Sequence, residues 1–314
     1  MQHARPQAVE ASLVASWHLA EPLTVRRIAH DGVTSDVFDV TDAAGRRYAA
    51  KLTYDLPAAV EPGLRAAAAV ARRTSIETAP AVPASGGSLT VLTPSVNGER
   101  HPLALLPWID GRRLAAGERI ADAARVLAAV HQALGDVEAP DTMVGYLGDD
   151  AARYPWRDVI VPASRAALEG VFRADLTWGA CYGDGPELVA TEDGLALRDW
   201  GAVTRGPLLW DVKLWAGEQR EAFVEAYAAA RGPAAGEAHL LTLMDRLGYA
   251  FALRFRAFRV AQPDHYDETI EADRAALAEA AAGLGLDPDR TLADVDRAGK
   301  VYRSQGPQWP SLGS

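Results

Sequence analysis

Short apolar runs bounded by turn residues fill the first third of the chain. Longer stripes with helical spacing replace them afterwards. Between residues 25 and 109, the segments 24–28, 37–40, 47–52 and 89–92 have the length and alternation of strands. Asp42-Ala43-Ala44-Gly45 predicts a hairpin turn between the second and third strands, and Gly86-Gly87 predicts another turn. One helix interrupts this run, an alanine-rich stretch from Glu61 to Arg72.

Beyond Asp110-Gly111 the period changes. Ile120, Ala123, Leu127, Val130 and Leu134 share one helical face, with Gly135 as the stop. Leu240, Leu243, Leu247, Ala250 and Phe258 predict a second, longer helix. Leu188-Val189-Ala190 and Leu195-Ala196-Leu197 are too short for helices and read as a small hairpin closed by Glu192-Asp193-Gly194. Strands followed by helices predict an α+β fold. The change of period divides it into residues 1–107 and 108–314.

Composition adds a few exclusions. A hydrophobic content of 49% and charged content of 24% are ordinary for a globular protein. No apolar run approaches the ~20 residues of a membrane span, and residues 1–20 lack the pattern of a secretory signal. The single cysteine, Cys181, leaves no internal disulfide and suits a reducing interior, so the cytoplasm is the expected location. Ten acidic and ten basic residues lie in 1–107, so the whole net charge of −10 falls on 108–314. That sign argues against a nucleic-acid partner and suits a cationic small molecule; a solvated acidic face is the plain alternative.

Two aspartates beside glycines carry the most chemistry: Asp184 in Tyr182-Gly183-Asp184-Gly185-Pro186-Glu187, and Asp199 in Arg198-Asp199-Trp200-Gly201. Transfer of a phosphoryl group uses two carboxylates, one for the proton of the attacking hydroxyl and one for magnesium. Upstream, the turn containing Gly32 and Ser35 is small and polar enough for backbone N–H groups to approach phosphate oxygens, although an ordinary hairpin has the same composition. Lys51 projects from a strand and could reach α- and β-phosphates, with Glu61 holding it as an ion pair. The stretch from Leu105 through Pro107, Trp108 and Ile109 to Gly111 reads as a connector whose backbone could bond an adenine edge.

In this order, the pieces resemble the aminoglycoside phosphotransferase and choline kinase-like family, relatives of protein kinases. The resemblance spans residues 28–212. It rests on Pro107-Trp108-Ile109-Asp110-Gly111, on Leu127-Ala128-Ala129-Val130-His131, and on Asp199-Trp200-Gly201 through Gly206-Pro207 to Trp210-Asp211-Val212. It implies a two-lobe kinase-like fold with an N-terminal nucleotide lobe and a helical catalytic lobe. It also implies ATP or GTP with Mg2+, Lys51 on the phosphates, Glu61 orienting it, Asp184 as catalytic base and Asp199 as metal ligand. Asp211 and His131 match positions that are structural in the family.

Two departures from the family pattern stand out. Tyr182 occupies the family's histidine position, and the asparagine expected five residues after Asp184 is Val189. Matching the following strand instead puts Glu187 in the asparagine's place as a metal ligand, in a loop two residues shorter. The leading expectation is phosphorylation of a hydroxyl on a small, amine-bearing molecule. Asp149, Asp150, Asp264, Asp267, Glu268 and Glu271 are candidate acceptor contacts. The alternative, motivated by the altered loop, is a kinase-fold protein that binds nucleotide or a partner without transfer.

Overall fold

The computed structural model describes residues 5–28, 35–54, 57–96, 98–147, 157–261 and 269–304. Its first elements are α1 (Pro6–Trp17), β1 (Thr24–Ile28), β2 (Ser35–Thr41), β3 (Arg47–Thr53), α2 (Pro57–Arg73), β4 (Glu77–Thr78), β5 (Val91–Pro94), β6 (Arg100–Pro107) and β7 (Arg112–Arg113). Then come α3 (Ile120–Ala133), α4 (Thr142–Leu147), α5 (Arg157–Arg173), β8 (Trp178–Cys181), β9 (Leu188–Ala190), β10 (Leu195–Leu197) and β11 (Thr204–Pro207). The chain ends with α6 (Leu209–Ala216), α7 (Arg220–Ala229), a 3-10 helix (Ala235–Leu240), α8 (Leu241–Val260), α9 (Ile270–Gly283) and α10 (Pro288–Ser304).

The chain forms two compact units. The first gathers Met1–Pro140, Ala180–Val203 and Leu214–Gly232; the second gathers Asp141–Gly179, Thr204–Lys213 and Pro233–Ser314. In the first, a five-stranded antiparallel sheet runs in the order β1-β2-β3-β6-β5. Strand alternation sets its faces. Ala50 and Leu52 of β3 join Phe38, Val40, Leu103 and Leu105 in a core closed by Val9, Leu13 and Trp17 of α1. Lys51, between Ala50 and Leu52, therefore points to the opposite face. The β2–β3 turn is held by Asp42, whose Oδ1 accepts the N–H groups of Ala44 and Arg46. A second, four-stranded sheet has the order β4-β10-β9-β7 and contains the expected β9–β10 hairpin.

Two expectations need correction, and helix α1 had no forecast. Helix α2 begins at Pro57, not Glu61, and carries Pro62 inside it. A proline suits the first helical position, where its missing N–H costs nothing, so Pro57 opens the helix. The buried stripe of α8 runs through Leu241, Met244, Leu247, Ala250, Leu253 and Ala257, one residue along from the expected start.

The second unit is helical, with Ile160 of α5, Leu253, Ala257 and Val260 of α8, Leu277, Ala280 and Ala281 of α9, and Val295 of α10 in one core. Among the described residues no helix is long and apolar enough to cross a membrane. Asp273 of α9 is fully buried beside this core. Its carboxylate accepts bonds from Arg259 Nε at 2.7 Å, from Thr269 Oγ1 at 3.0 Å and from Arg256. Burial alone would raise its pKa, but the two guanidiniums and the hydroxyl outweigh burial and hold it below the ordinary carboxylate value. A lowered carboxyl pKa contributes stability that is complete above the unfolded value, near ~4, and disappears as pH falls through the folded value. Asp273→Ala should cost about 3 kcal/mol, because it strands a buried Arg259. Asp273→Asn should flatten the acid limb of the stability profile; urea midpoints measured from pH 7 down to pH 3 check both.

Candidate active site

Lys51 and Asp199 lie 148 residues apart in sequence, and Lys51 Nζ donates to Asp199 Oδ1 at 2.6 Å. The lysine side chain is 21% exposed and the aspartate 52%. Asp199 sits in the left-handed region at φ 62°. Aspartate tolerates that region better than most residues, yet such backbone is usually retained only where its surroundings enforce it. Partial burial works against its charge, but Lys51, the Gly201 N–H and Arg198 prevail, and the carboxyl stays below its ordinary pKa.

Asp184 is exposed on the loop between β8 and β9. Its Oδ1 accepts the Gly185 N–H at 2.7 Å, and its carbonyl accepts Trp215 Nε1–H at 3.0 Å. The loop reaches this position because Gly183 has φ 87° and a Cβ there would lie 2.0 Å from the Ala202 carbonyl oxygen. The short segment after Asp199 and the loop before Asp184 are thus in backbone contact.

Tyr182 joins the two aspartate segments. Its ring is fully buried and meets Trp200 and Trp215 edge-on, with centroids 5.2 and 5.5 Å away. Its hydroxyl donates to the carbonyl of Arg198, the residue before Asp199. Burial pushes the phenol pKa up, and the negative charges of Asp199, Asp184 and Glu187 add to that shift. The hydroxyl therefore remains a donor. The residue in the family's histidine position is a hydrogen-bonded strut here.

Other expected positions fall as follows. Glu61 does not pair with Lys51; its carboxylate binds Arg65 one helical turn on, at 2.5 Å, while Lys51 is taken by Asp199. Ser35 begins β2 and is buried; Gly32 lies outside the described residues. Pro107 ends β6 opposite Tyr48, and half-buried Ile109 follows Trp108, whose ring carries the Arg47 guanidinium 3.7 Å from its centroid. His131 is buried with Nδ1 2.8 Å from the Tyr227 hydroxyl, and Asp211 and Cys181 are fully buried. Asp149, Asp150, Asp264, Asp267 and Glu268 lie outside the described residues, and Glu271 stands in the first turn of α9. The second unit has an open cleft of about 470 Å³ lined in part by Asp141, Phe172, Trp178 and Arg205. Phe172 and Trp178 stack there with planes 2° from parallel.

Glu187 has partners that the sequence did not suggest. Arg113 of β7 binds its Oε1, and Arg198 Nη2 stands 3.8 Å from its Oε2. Burial moves the Glu187 carboxyl upward, against the pull of the two arginines and with the push of Asp199 and Asp184. Among the described residues no group of three or more His, Cys, Asp or Glu side chains is gathered for a metal. Magnesium asks for less: one or two carboxylates, with phosphate oxygens and waters completing the shell. The half-exposed, ionised Asp199 fits that requirement.

The sequence matches no family model, and no curated protein matches it significantly. Solved structures do match its fold. An amicoumacin kinase in complex with AMP-PNP and Ca2+ has a TM-score of 0.66 at 13% identity, over 91% of this chain and 93% of the other. A microcompartment-associated aminopropanol kinase has a TM-score of 0.63 at 14% identity, over 95% and 98%. The GDP complex of aminoglycoside 2'-phosphotransferase-IIIa has a TM-score of 0.57 at 13% identity, over 92% and 99%. The fold of this chain is that of the kinase-like small-molecule phosphotransferases, with an antiparallel N-terminal sheet and a mainly helical C-terminal part.

Tyr182→Phe keeps the ring and removes the hydroxyl, with its bonds to the Arg198 carbonyl and the Glu187 main chain. It should cost about 1 kcal/mol of stability, read as a lower urea midpoint at unchanged slope.

Proposed function

We propose that this chain is a nucleotide-dependent phosphotransferase related to the aminoglycoside phosphotransferases and choline kinases, acting on a hydroxyl of a small, amine-bearing molecule. The observation that carries this reading is the Lys51–Asp199 contact within a phosphotransferase fold. Lys51 would exchange Asp199 for the α- and β-phosphates, and Asp199 would then hold magnesium. A bound Mg2+ would supply charge neutralisation of the phosphate oxygens. The backbone of Pro107–Ile109 would meet the purine edge.

In the transfer, the acceptor oxygen forms a bond to the γ-phosphorus as the bond to the β-bridging oxygen breaks. The nucleoside diphosphate leaves with that electron pair, and the acceptor proton passes to a carboxylate oxygen of Asp184. Asp184 suits this role because it is exposed, while its backbone is tied to Trp215. The acid excess of residues 108–314 favours an acceptor that carries an amine. Glu61, engaged with Arg65, has no part in this scheme.

A second reading is nucleotide binding without transfer. It is favoured by Glu187, whose oxygens face arginines instead of standing open to a metal. One set of measurements separates the two. Calorimetric titration with ATP and Mg2+ should show binding that Asp199→Asn loses. A panel of amino alcohols and aminosugars should then yield an acceptor that stimulates ADP release. Asp184→Asn should lower that turnover about 10²- to 10⁴-fold, as expected for loss of a general base, with ATP affinity nearly unchanged. Binding with no ADP release across the panel favours the second reading; unimpaired turnover in Asp184→Asn removes that residue from the mechanism.

A further inference from the structure

The shortened loop places Glu187 three residues after Asp184, and its surroundings explain what it does there. Strand β7 lies antiparallel to β9, with Arg113 opposite Val189 and the Leu114 N–H donating to the Leu188 carbonyl at 2.9 Å. This close approach requires Gly111, where an added Cβ would stand 2.3 Å from the Ala190 carbonyl oxygen. Pairing in this register carries the Arg113 guanidinium to Glu187 Oε1. On the other side, the Arg198 N–H donates to the Glu187 carbonyl at 3.1 Å, and its side chain approaches Oε2. The carboxylate is 25% exposed, while the side chains of Arg113 and Arg198 are 62% and 44% exposed. The anchor is mostly covered and the cations remain reachable.

We propose that Glu187 is not a metal ligand but the anchor that presents Arg113 and Arg198 to the phosphates of the nucleotide, so that two fixed guanidiniums replace a second metal ion. The inference rests on the phosphotransferase reading and specifies its phosphate site. Charge and geometry support it. A divalent ion on Glu187 would have to displace or face two guanidiniums that cannot lose their charge. Guanidinium also matches phosphate oxygens bidentately. Lys51, Arg113 and Arg198 match Asp184, Glu187 and Asp199 in number, so the side chains alone set no net negative charge against the triphosphate, and the two guanidiniums offer it hydrogen bonds where a second ion would offer coordination.

Mn2+ and the non-hydrolysable analogue AMP-PNP are the probes, with bound Mn2+ counted by electron paramagnetic resonance. The wild type should bind one Mn2+ per chain with the nucleotide, and Glu187→Gln should still bind one. Arg113→Ala should weaken AMP-PNP about tenfold, the equivalent of one charged hydrogen bond, both with and without Mn2+. Arg113→Lys, which keeps the charge and loses the fork, should fall between. Two Mn2+ ions in the wild type, reduced to one in Glu187→Gln, would overturn the inference while leaving the nucleotide site intact. Unchanged AMP-PNP affinity in a folded Arg113→Ala would overturn it as well. Absence of any nucleotide binding by the wild type would remove the phosphotransferase site, and this proposal with it.

Discussion

A lysine ammonium on a sheet and an aspartate carboxylate in a strained turn meet across 148 residues of sequence. As a source of stability the pair is poor. The aspartate is about half exposed, and such ion pairs are worth roughly 0–1 kcal/mol. Against that stand the left-handed φ of Asp199, of order 1–3 kcal/mol for residues held in sparsely populated backbone regions, and a burial effect that opposes its ionisation. A contact that returns less than it costs is difficult to explain as scaffolding. Backbone strain retained at so weak a contact is a feature that functional sites commonly show.

The groups around that pair supply the rigidity it lacks. Tyr182, Trp200 and Trp215 are buried, with Tyr182 edge-on to both tryptophans, and each places a polar atom on the backbone. Tyr182 bonds the Arg198 carbonyl, Trp215 the Asp184 carbonyl and Trp200 the Leu197 carbonyl. Three aromatic side chains thus hold both aspartate segments by their main chains and leave the carboxylates unencumbered by that packing. This is a division between support and chemistry: apolar burial fixes the loops, and the charged groups remain half in solvent.

Much of this was legible in the chain, and the illegible parts have a common cause. The strand that carries Lys51 was legible as a short, turn-bounded apolar run, because alternation and turn residues are local properties. The two turns that carry Asp184 and Asp199 were legible for a similar reason: a strand ending in a tight turn is written in adjacent residues. Helix α1 escaped because its buried positions, Val9, Leu13 and Trp17, form only one narrow stripe among small residues. The Glu61–Lys51 pair was a plausible guess that a nearer partner, Arg65, defeated. The environment of Glu187 was least accessible of all. Its main partner is 74 residues away on a two-residue strand, too short to have a period. The available signal was Gly111-Arg112-Arg113 directly after the connector, where a glycine permits close packing and arginines follow it.

That last feature bears on how departures from a motif should be weighed. A carboxylate in place of a metal-binding amide looks at first like a preserved ligand, because both offer oxygen to magnesium. The deciding quantity is the charge that already surrounds it. With guanidiniums on both oxygens, an ion there would be repelled where an amide in neutral surroundings would welcome it. The same carboxylate is well used in another way, since it lets two arginines approach one another despite their mutual repulsion. Glu187 and Arg113 are then one arrangement seen at two places in the sequence, and neither position can be interpreted without the other.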